Sequence, residues 1–95
     1  MAVIMMSEVG GQTAEGYDAL LGTVGEAARR APGFIAHAAY GDGGSWHLVE
    51  IWRSKAECDQ FFAQHVAPHL PQGIRPKRRY QEAHALLLPA PGAGV

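Results

Sequence analysis

The order in which strand-like and helix-like hydrophobic periods follow one another is the feature that most constrains the fold of this chain. Strand-like apolar stretches occupy four segments, at residues 2–9, 34–40, 46–53 and 80–88. Between the first two, apolar residues at i, i+3, i+4 and i+7 spacing run from Tyr17 to Ala28, which predicts an amphipathic helix. A second helical segment follows Ser54 and extends to Ala67. The sequence therefore predicts the order strand, helix, strand, strand, helix, strand.

Local signals at the ends of these segments support the same division. Thr13 is a suitable N-cap for the first helix, and Ser54 with Glu57 forms the S-x-x-E capping box that opens the second. Glycines in the stretch GDGG, residues 41–44, supply the positive φ angles that a hairpin between the second and third strands requires. Pro68 has no N–H and would cost about 3 kcal/mol inside a helix, so the second helix is predicted to end before it.

Strands and helices in this order are typical of the ferredoxin-like βαββαβ sandwich, an α+β fold whose helices cover one face of a sheet. The opposite face needs a cover of its own, and a second copy of the same sheet is the simplest one. We therefore predict a single ferredoxin-like domain at residues 1–88 that pairs by its sheets into a dimeric α+β barrel, a homodimer. Residues 89–95, PAPGAGV, are predicted to form a disordered C-terminal tail.

Composition argues against several classes of function. The formal net charge is −1, which disfavours nucleic acid as a partner. Cys58 is the only cysteine, so neither an internal disulfide nor a cysteine-based zinc site is expected. No segment approaches the ~20 apolar residues of a membrane span, and the N-terminal run AVIMM is too short for the apolar core of a signal peptide. We expect a cytoplasmic protein that contacts neither nucleic acid nor membranes.

The third strand has two unlike faces. One carries a carboxylate between two indoles and consists of Trp46, Leu48, Glu50 and Trp52. The other has Val49 and Ile51 at its centre. Because Val49 and Ile51 resemble an ordinary core, we predict that they face the helices and that the tryptophan face lies against the second sheet of the dimer.

Two short motifs add a resemblance to a known family. The stretch PGF at residues 32–34 opens the second strand, and E-x-W-x-S at residues 50–54 leads from the third strand into the second helix. In these motifs, and in the order of its elements over residues 2–88, the chain resembles the antibiotic-biosynthesis-monooxygenase-like group of dimeric α+β barrels. That group includes cofactor-independent oxygenases of polyketide-like phenols and haem-degrading enzymes, and related barrels act as polyketide cyclases. The resemblance implies a homodimer with a small-molecule cavity in each subunit, on the sheet face opposite its helices.

Position by position, the resemblance implies that Trp52 lines this cavity. Tyr40 falls where the oxygenase branch has a cavity histidine, Cys58 falls where it has a tyrosine, and Leu48 replaces a polar amide. The haem-degrading branch uses an asparagine on the first strand, and residues 2–9 contain none. Haem is therefore disfavoured, and no cofactor is expected.

Glu50 is the sharpest catalytic candidate, because a carboxyl group in an apolar surround can act as an acid or base near neutral pH. Its alternative role is an ion pair with the basic stretch at residues 75–79 or with the partner subunit. His65 forms a helical row with Phe61 at the border of helix and sheet, where an imidazole could shuttle protons, and a half-exposed surface position is its alternative. Tyr40 is the third candidate, as a hydrogen-bond donor to a substrate carbonyl.

Aromatic and apolar side chains are the candidates for substrate binding, because rings suit flat aromatic ligands. They are Trp52, Trp46, Leu48, Phe34 and Phe61, with His69 as a polar member. Packing of the dimer core is the alternative role of the two tryptophans. His65 and His69 have the H-x-x-x-H spacing of some zinc sites, but Pro68 interrupts the helix and no third ligand is evident, so no metal site is predicted.

His37 shares a strand face with Ile35 and Ala39 and is predicted to be a hydrogen-bonded core or edge residue against the helices. Whether it transfers protons stays open. Together these features predict a small cofactor-independent enzyme that binds a hydrophobic, polyketide-like aromatic molecule and oxygenates or cyclises it. The alternative is a non-catalytic ligand-binding or auxiliary subunit of a biosynthetic pathway. The identity of the small-molecule substrate cannot be read from the sequence.

Overall fold

An antiparallel sheet covered on one face by helices makes up the fold. The computed structural model describes residues 1–92. Its elements are β1 Val3–Gly10, α1 Ala14–Arg30, β2 Phe34–Gly41, β3 Ser45–Trp52, α2 Lys55–Phe61 and β4 Lys77–Glu82. The four strands lie in the order β2-β3-β1-β4, and each neighbouring pair is antiparallel. The predicted α+β, ferredoxin-like βαββαβ fold is confirmed.

Both helices begin at the residues that the capping signals predict. The Thr13 hydroxyl accepts a hydrogen bond from the backbone N–H of Gly16 at 3.0 Å. The Ser54 hydroxyl accepts one from the N–H of Glu57 at 3.2 Å and donates one to the Glu57 carboxylate at 2.8 Å. That carboxylate also pairs with the guanidinium of Arg53. These local contacts fix the first turn of each helix.

The second helix continues further than predicted, with a change of geometry. Its α-helical part stops at Phe61, and the chain goes on through a π-helical turn, Phe62–Val66, and a 3₁₀ turn, Ala67–His69. Pro68 lies in the first positions of this last turn, where its missing N–H is not required for a hydrogen bond. Helical geometry therefore extends two residues past the predicted end at Ala67.

The two faces of β3 point in the opposite directions to those predicted. The helix-facing side chains are Trp46, Leu48, Glu50 and Trp52. Trp52 is fully buried, and it packs in a core with Met5, Val24, Cys58 and Phe61. Val49 is 39 % exposed on the open face, which it shares with Ile51. Both faces of the strand are apolar, so alternation alone does not choose between them, and the large indoles gain more by burial beneath the helices.

An irregularity in β2 brings two aromatic side chains onto the covered face. The register shifts between Phe34 and Ala36, so that Phe34 pairs with Trp52 and His37 pairs with Glu50. Because Trp52 and Glu50 face the helices, Phe34 and His37 face them too. Strict alternation had placed Phe34 and His37 on opposite faces, and the bulge is the physical reason for the difference.

The last strand lies earlier in the chain than predicted. β4 spans Lys77–Glu82 instead of residues 80–88, and the three leucines at residues 86–88 are exposed. Most residues of this strand are charged, so a search for apolar stretches does not find it. Its helix-side positions include Arg78 and Tyr80, long side chains that bury their apolar parts while Arg78 Nη2 and the Tyr80 hydroxyl donate to Asp59.

The predicted C-terminal tail, residues 89–95, is described only in part. Residues 89–92 form irregular backbone that ends in a turn, and residues 93–95 lie outside the described residues. None of the helices within residues 1–92 combines the length and the apolar character that crossing a membrane would demand.

Candidate functional site

A cavity of about 730 Å³ lies between the helices and the covered face of the sheet. Most of its lining is apolar and includes Met5, Val9, Leu20, Val24, Leu48 and Phe61. The polar members of the lining are Ser7, Tyr17, His37, Trp46, Glu50 and Arg78. This size and this mixture suit one organic molecule of moderate size. The cavity is on the helix side of the sheet, which corrects the expectation of a ligand site on the opposite face.

A chain of hydrogen bonds runs along one wall of the cavity. The Tyr17 hydroxyl of α1 lies 2.5 Å from Nε2 of His37 on β2. Nδ1 of His37 lies 2.7 Å from Oε2 of Glu50 on β3. The second carboxylate oxygen, Oε1, accepts a hydrogen bond from Nε1 of Trp52 at 2.9 Å. Three elements of the fold thus meet at one imidazole.

Donor and acceptor roles in this chain follow from the chemistry of its two ends. The Trp52 indole can only donate, and the ionised Glu50 carboxylate can only accept. When the His37 imidazole is neutral, it therefore carries its hydrogen on Nδ1 and accepts at Nε2 from the Tyr17 hydroxyl. Burial, reinforced by the charges of Glu50 and Asp18, raises the pKa of Tyr17 above 10.0. Tyr17 thus keeps its proton at neutral pH and is available as the donor.

Aromatic stacking holds the tyrosine and the histidine in place. The Tyr17 ring is parallel to the His37 ring, with centroids 6.0 Å apart, and it packs against Trp46 with centroids 5.4 Å apart. Trp46 lies directly over Gly41 of the neighbouring strand, where a Cβ would overlap the indole ring. The absence of a side chain at Gly41 is what lets Trp46 lie flat against the sheet and form this part of the wall.

Arg78 of β4 forms a second polar region of the cavity. Its guanidinium lies 4.0 Å from the centre of the Phe62 ring, and its Nη2 donates to Asp59 at 3.2 Å. The Asp59 carboxylate also accepts from Lys55 at 2.7 Å and from the hydroxyl of Tyr80. Two cations therefore share one carboxylate next to the cavity.

Cys58 lies between the two polar regions, buried in the core and in the cavity lining. Its Sγ is 3.6 Å from Nη2 of Arg78. Burial is the largest influence on the thiol and raises its pKa, and the negative charge of Glu50 acts in the same direction. The thiol is thus kept protonated, as an apolar part of the wall.

The structure brings five of the predicted site residues to the cavity lining: Glu50, Trp46, Leu48, Phe34 and Phe61. Trp52 lies behind the lining and contacts Glu50. Tyr40 is 58 % exposed on the open face, where it stacks on His47 at 4.8 Å, so it is not near the cavity. His65 stacks on Phe61 but is exposed, and His69 is exposed too. Tyr40 is on the face that alternation predicts, and it is away from the cavity because the cavity lies on the helix side of the sheet.

Sequence reasoning missed Tyr17 and Arg78. Tyr17 was counted as the first apolar residue of the α1 row, although a hydroxyl at the end of such a row is a signal for a polar contact inside a cavity. Arg78 was one of several basic residues in a charged stretch. Within residues 1–92, no three His, Cys, Asp or Glu side chains are grouped in a way that could hold a metal ion.

Comparison with known proteins gives a consistent result at the level of structure. No family model matches the sequence, and no curated protein sequence matches it. SnoaB, a cofactor-independent oxygenase from Streptomyces nogalater, has a TM-score of 0.68 at 14 % identity, with 90 % of this chain and 96 % of its own covered. A monooxygenase from the gene ActVA-Orf6 of Streptomyces coelicolor, solved with the ligand nanaomycin D, has a TM-score of 0.65 at 20 % identity, with 94 % and 93 % covered.

The likeness extends to proteins without an assigned activity. NE2512 from Nitrosomonas europaea, a protein of unknown function, has a TM-score of 0.69 at 16 % identity, with 94 % of this chain and 95 % of its own covered. At such identities the likeness concerns the fold. The chain therefore has the fold of the antibiotic-biosynthesis-monooxygenase type, as the resemblance in its sequence implied.

Proposed function

We propose that the protein is a small cofactor-independent enzyme that removes a proton from a flat, hydrophobic aromatic molecule and thereby prepares it for oxygenation. The observation that carries this proposal is the chain from Tyr17 through His37 to Glu50, set in the wall of a cavity of about 730 Å³. A hydrogen-bonded imidazole with a carboxylate behind it is a general base, and here it faces an otherwise apolar space.

The proton follows the existing hydrogen bonds. A phenol or an acidic C–H group of the ligand gives its proton to the Tyr17 oxygen while the Tyr17 hydroxyl proton moves to Nε2 of His37. The Glu50 carboxylate, 2.7 Å from Nδ1, stabilises the imidazolium that forms. Trp52 keeps the carboxylate in this orientation through its N–H. Tyr17 acts as a relay, because its raised pKa prevents it from being the final base.

Oxygenation without a cofactor requires that the substrate itself supplies the electrons that reduce O₂. A deprotonated CH₂ group next to a phenolic ring can do this. The carbanion forms a C–O bond with O₂, its carbon is oxidised and the dioxygen is reduced, and one proton completes the hydroperoxide R₂CH–OOH. Loss of water then gives the ketone. The net change, R₂CH₂ + O₂ → R₂C=O + H₂O, balances without another reactant.

Oxygenases among the solved structures of the same fold support the oxygenation step, and their low identity leaves the activity of this chain as a proposal. The same base can also form an enolate that closes a ring, which is the second candidate function. Its support is the same hydrogen-bond chain, since cyclisation needs proton removal but no O₂. Uptake of O₂ therefore separates the two.

The test is O₂ uptake by the metal-free protein, treated with a chelator, with hydroxyanthrone and hydroxytetralone as phenolic ketones that carry a CH₂ group. We expect turnover by the wild type and a loss of about 10²–10⁴-fold in His37→Asn, which keeps a donor towards Glu50 but has no acceptor in place of Nε2. His84→Asn is the matched control, because His84 is exposed after β4. Equal rates in both variants contradict the proposed base. Ring closure without O₂ uptake indicates the cyclase, and binding with neither reaction indicates the non-catalytic alternative.

We also propose that a second copy of the chain covers the open face of the sheet. The centre of this face is apolar and consists of Ile4, Met6, Val49 and Ile51. Acidic Glu8 on β1 and basic Arg79 on β4 lie on the same face, so a two-fold axis can bring opposite charges together. The exposed leucines at residues 86–88 add further apolar surface. Sedimentation should give about 20 kDa, twice the 10.2 kDa of the chain.

Val49→Asp tests this dimer, because it places a charge at the centre of the apolar face, and Leu21→Asp on exposed α1 is the control. We expect the first variant to sediment as a monomer and the second as a dimer. A wild-type protein that stays monomeric at micromolar concentration contradicts the proposal.

A further inference from the structure

Three buried polar atoms within residues 1–92 have no hydrogen-bond partner, and all three belong to residues that line the cavity. They are Ser7 Oγ, Trp46 Nε1 and Arg78 Nε. More than 90 % of buried polar groups in proteins are paired, and each exception calls for an explanation such as strain, a functional role or a bound water molecule or ion. Three such atoms around one cavity therefore describe what the cavity binds.

The chemistry of the three atoms restricts their partners. The indole N–H of Trp46 and the Nε–H of Arg78 can only donate a hydrogen bond, and the hydroxyl of Ser7 can donate as well. A purely hydrocarbon ligand would leave all three unpaired at a cost. Oxygen atoms that accept hydrogen bonds would pair them. The ligand is thus expected to be rich in oxygen at defined places.

Two separate places are defined by the sheet register. Ser7 on β1 lies directly opposite Arg78 on β4, which brings the hydroxyl and the guanidinium to one region. Trp46 on β3 lies opposite Val9, two residues further along β1, and its ring contacts Tyr17. One acceptor oxygen therefore belongs beside Ser7 and Arg78, and the other beside Trp46 and Tyr17.

Charge distinguishes these two places. The Asp59 carboxylate accepts from both Lys55 and Arg78, so one positive charge near the Arg78 end is not neutralised. At the other end stands the Glu50 carboxylate, which is hydrogen-bonded to Nδ1 of His37. An anionic oxygen is attracted to the first place and repelled from the second, which suits a neutral hydroxyl or carbonyl.

We propose that the cavity is specific for a flat aromatic molecule with an anionic oxygen at the Ser7–Arg78 end and a neutral hydroxyl or carbonyl at the Trp46–Tyr17 end. Both a carboxylate and a stabilised enolate fit this description. The inference rests on the proposed function for the use of the cavity, and it names the substrate class. It is tested by binding without turnover, so its failure can be told apart from failure of the proposed reaction.

The experiment is calorimetry under argon with two probes that differ only in the anionic group, 6-hydroxy-2-naphthoate and 2-naphthol. We expect the wild type to bind the naphthoate at least about tenfold more tightly. Arg78→Gln should weaken naphthoate binding about ten- to hundredfold and change naphthol binding little, because it removes a charge-assisted hydrogen bond. Arg75→Gln makes the same change of charge at an exposed position outside the cavity and should change neither.

Two milder variants keep the test decisive if Arg78→Gln does not fold. Ser7→Ala removes only the hydroxyl and should weaken naphthoate binding about three- to tenfold without affecting naphthol. Trp46→Phe keeps a ring but removes the N–H, and should weaken both probes by a similar factor.

Three results overturn the proposal: no binding of the naphthoate, equal affinity for the two probes, or a loss of naphthoate binding in Arg75→Gln equal to that in Arg78→Gln. The third would mean that general attraction between charges is responsible. Naphthoate preference without O₂ uptake would sustain the binding site and remove the oxygenase. O₂ uptake without naphthoate preference would support the oxygenase and contradict the proposed binding site.

Discussion

Replacing Glu50 by glutamine tests the proton-transfer chain with little change of shape. The carboxylate accepts from Trp52 Nε1 at 2.9 Å and faces His37 Nδ1 at 2.7 Å. Because the indole can only donate, the glutamine must turn its carbonyl oxygen towards Trp52 and its NH₂ group towards His37. His37 then accepts at Nδ1, its hydrogen moves to Nε2, and the hydrogen bond with Tyr17 reverses direction.

Every group keeps a partner in the reversed chain. We therefore expect Glu50→Gln to change the free energy of unfolding by about 1 kcal/mol or less. Leucine at this position cannot accept a hydrogen bond, so Glu50→Leu leaves an indole N–H and an imidazole N–H without partners. Each costs about 1–3 kcal/mol when buried, which gives a loss of about 2–6 kcal/mol. Solvent relieves little of this, since the side chains of His37 and Glu50 are 19 % and 15 % exposed.

Turnover should behave differently from stability. The reversed chain has no acceptor at Nε2 of His37, so O₂ uptake in Glu50→Gln should fall about 10²–10⁴-fold. Urea unfolding followed by tryptophan fluorescence measures the first quantity and an oxygen electrode the second. Glu82→Gln, at an exposed position at the end of β4, is the matched control. Wild-type turnover in Glu50→Gln, or destabilisation equal to that of Glu50→Leu, refutes this reasoning.

Three further predictions follow from other parts of the molecule. Gly41→Ala places a Cβ where the Trp46 indole lies and should lower the free energy of unfolding by about 1–3 kcal/mol. Gly44→Ala places its Cβ in open space and should leave the free energy of unfolding unchanged. Thermal unfolding compares the two variants. Hydrogen bonds from His47 and from two backbone amides lower the pKa of Asp42 below 3.8. The stabilisation by Asp42 is therefore complete above pH 3.8 and is lost as the pH falls through the lowered pKa. In urea unfolding over a pH series, the free energies of unfolding of wild type and Asp42→Ala should converge in acid and differ at neutral pH. Burial raises the pKa of Cys58, so an aromatic disulfide reagent at pH 8 should modify the native thiol slowly and the urea-unfolded thiol fast; equal rates would contradict the buried position.

The fold was predictable because its signals are local. Thr13 and Ser54 start their helices through hydrogen bonds to residues three positions away, and the turn residues between β2 and β3 act at similar range. The boundary of β4 was not predictable by the same means. Its helix-side positions are occupied by Arg78 and Tyr80, whose burial depends on partners such as Asp59 about 20 residues away. Without knowledge of those partners, a charged stretch such as β4 is predicted to be a loop.

The candidate site was predictable only in part, because its geometry depends on register. Glu50 was identified from its apolar neighbours, but Tyr17 and His37 are separated by 20 residues, and His37 and Glu50 by 13. The side of the sheet on which they meet depends on which of the two apolar faces of β3 the helices cover, and alternation alone does not decide this. Tyr40 lies on the open face, as alternation predicts, and it is away from the cavity because the cavity is on the helix side; the bulge instead brings Phe34 to that side.

The distribution of charge around the cavity bears on the choice between an enzyme and a binding module. Glu50 lies on β3 and Arg78 on β4, with β1 between them, so a carboxylate and a guanidinium stand on different sides of one apolar space. Keeping two separated charges partly out of water is costly, and a protein that only stored a hydrophobic ligand would gain nothing from it. In the proposed reaction, proton removal towards Glu50 leaves negative charge on the ligand, and Arg78 would stabilise that charge. Fixed charges aligned with the charge separation of a reaction stabilise its transition state more than its ground state, which is the requirement for catalysis.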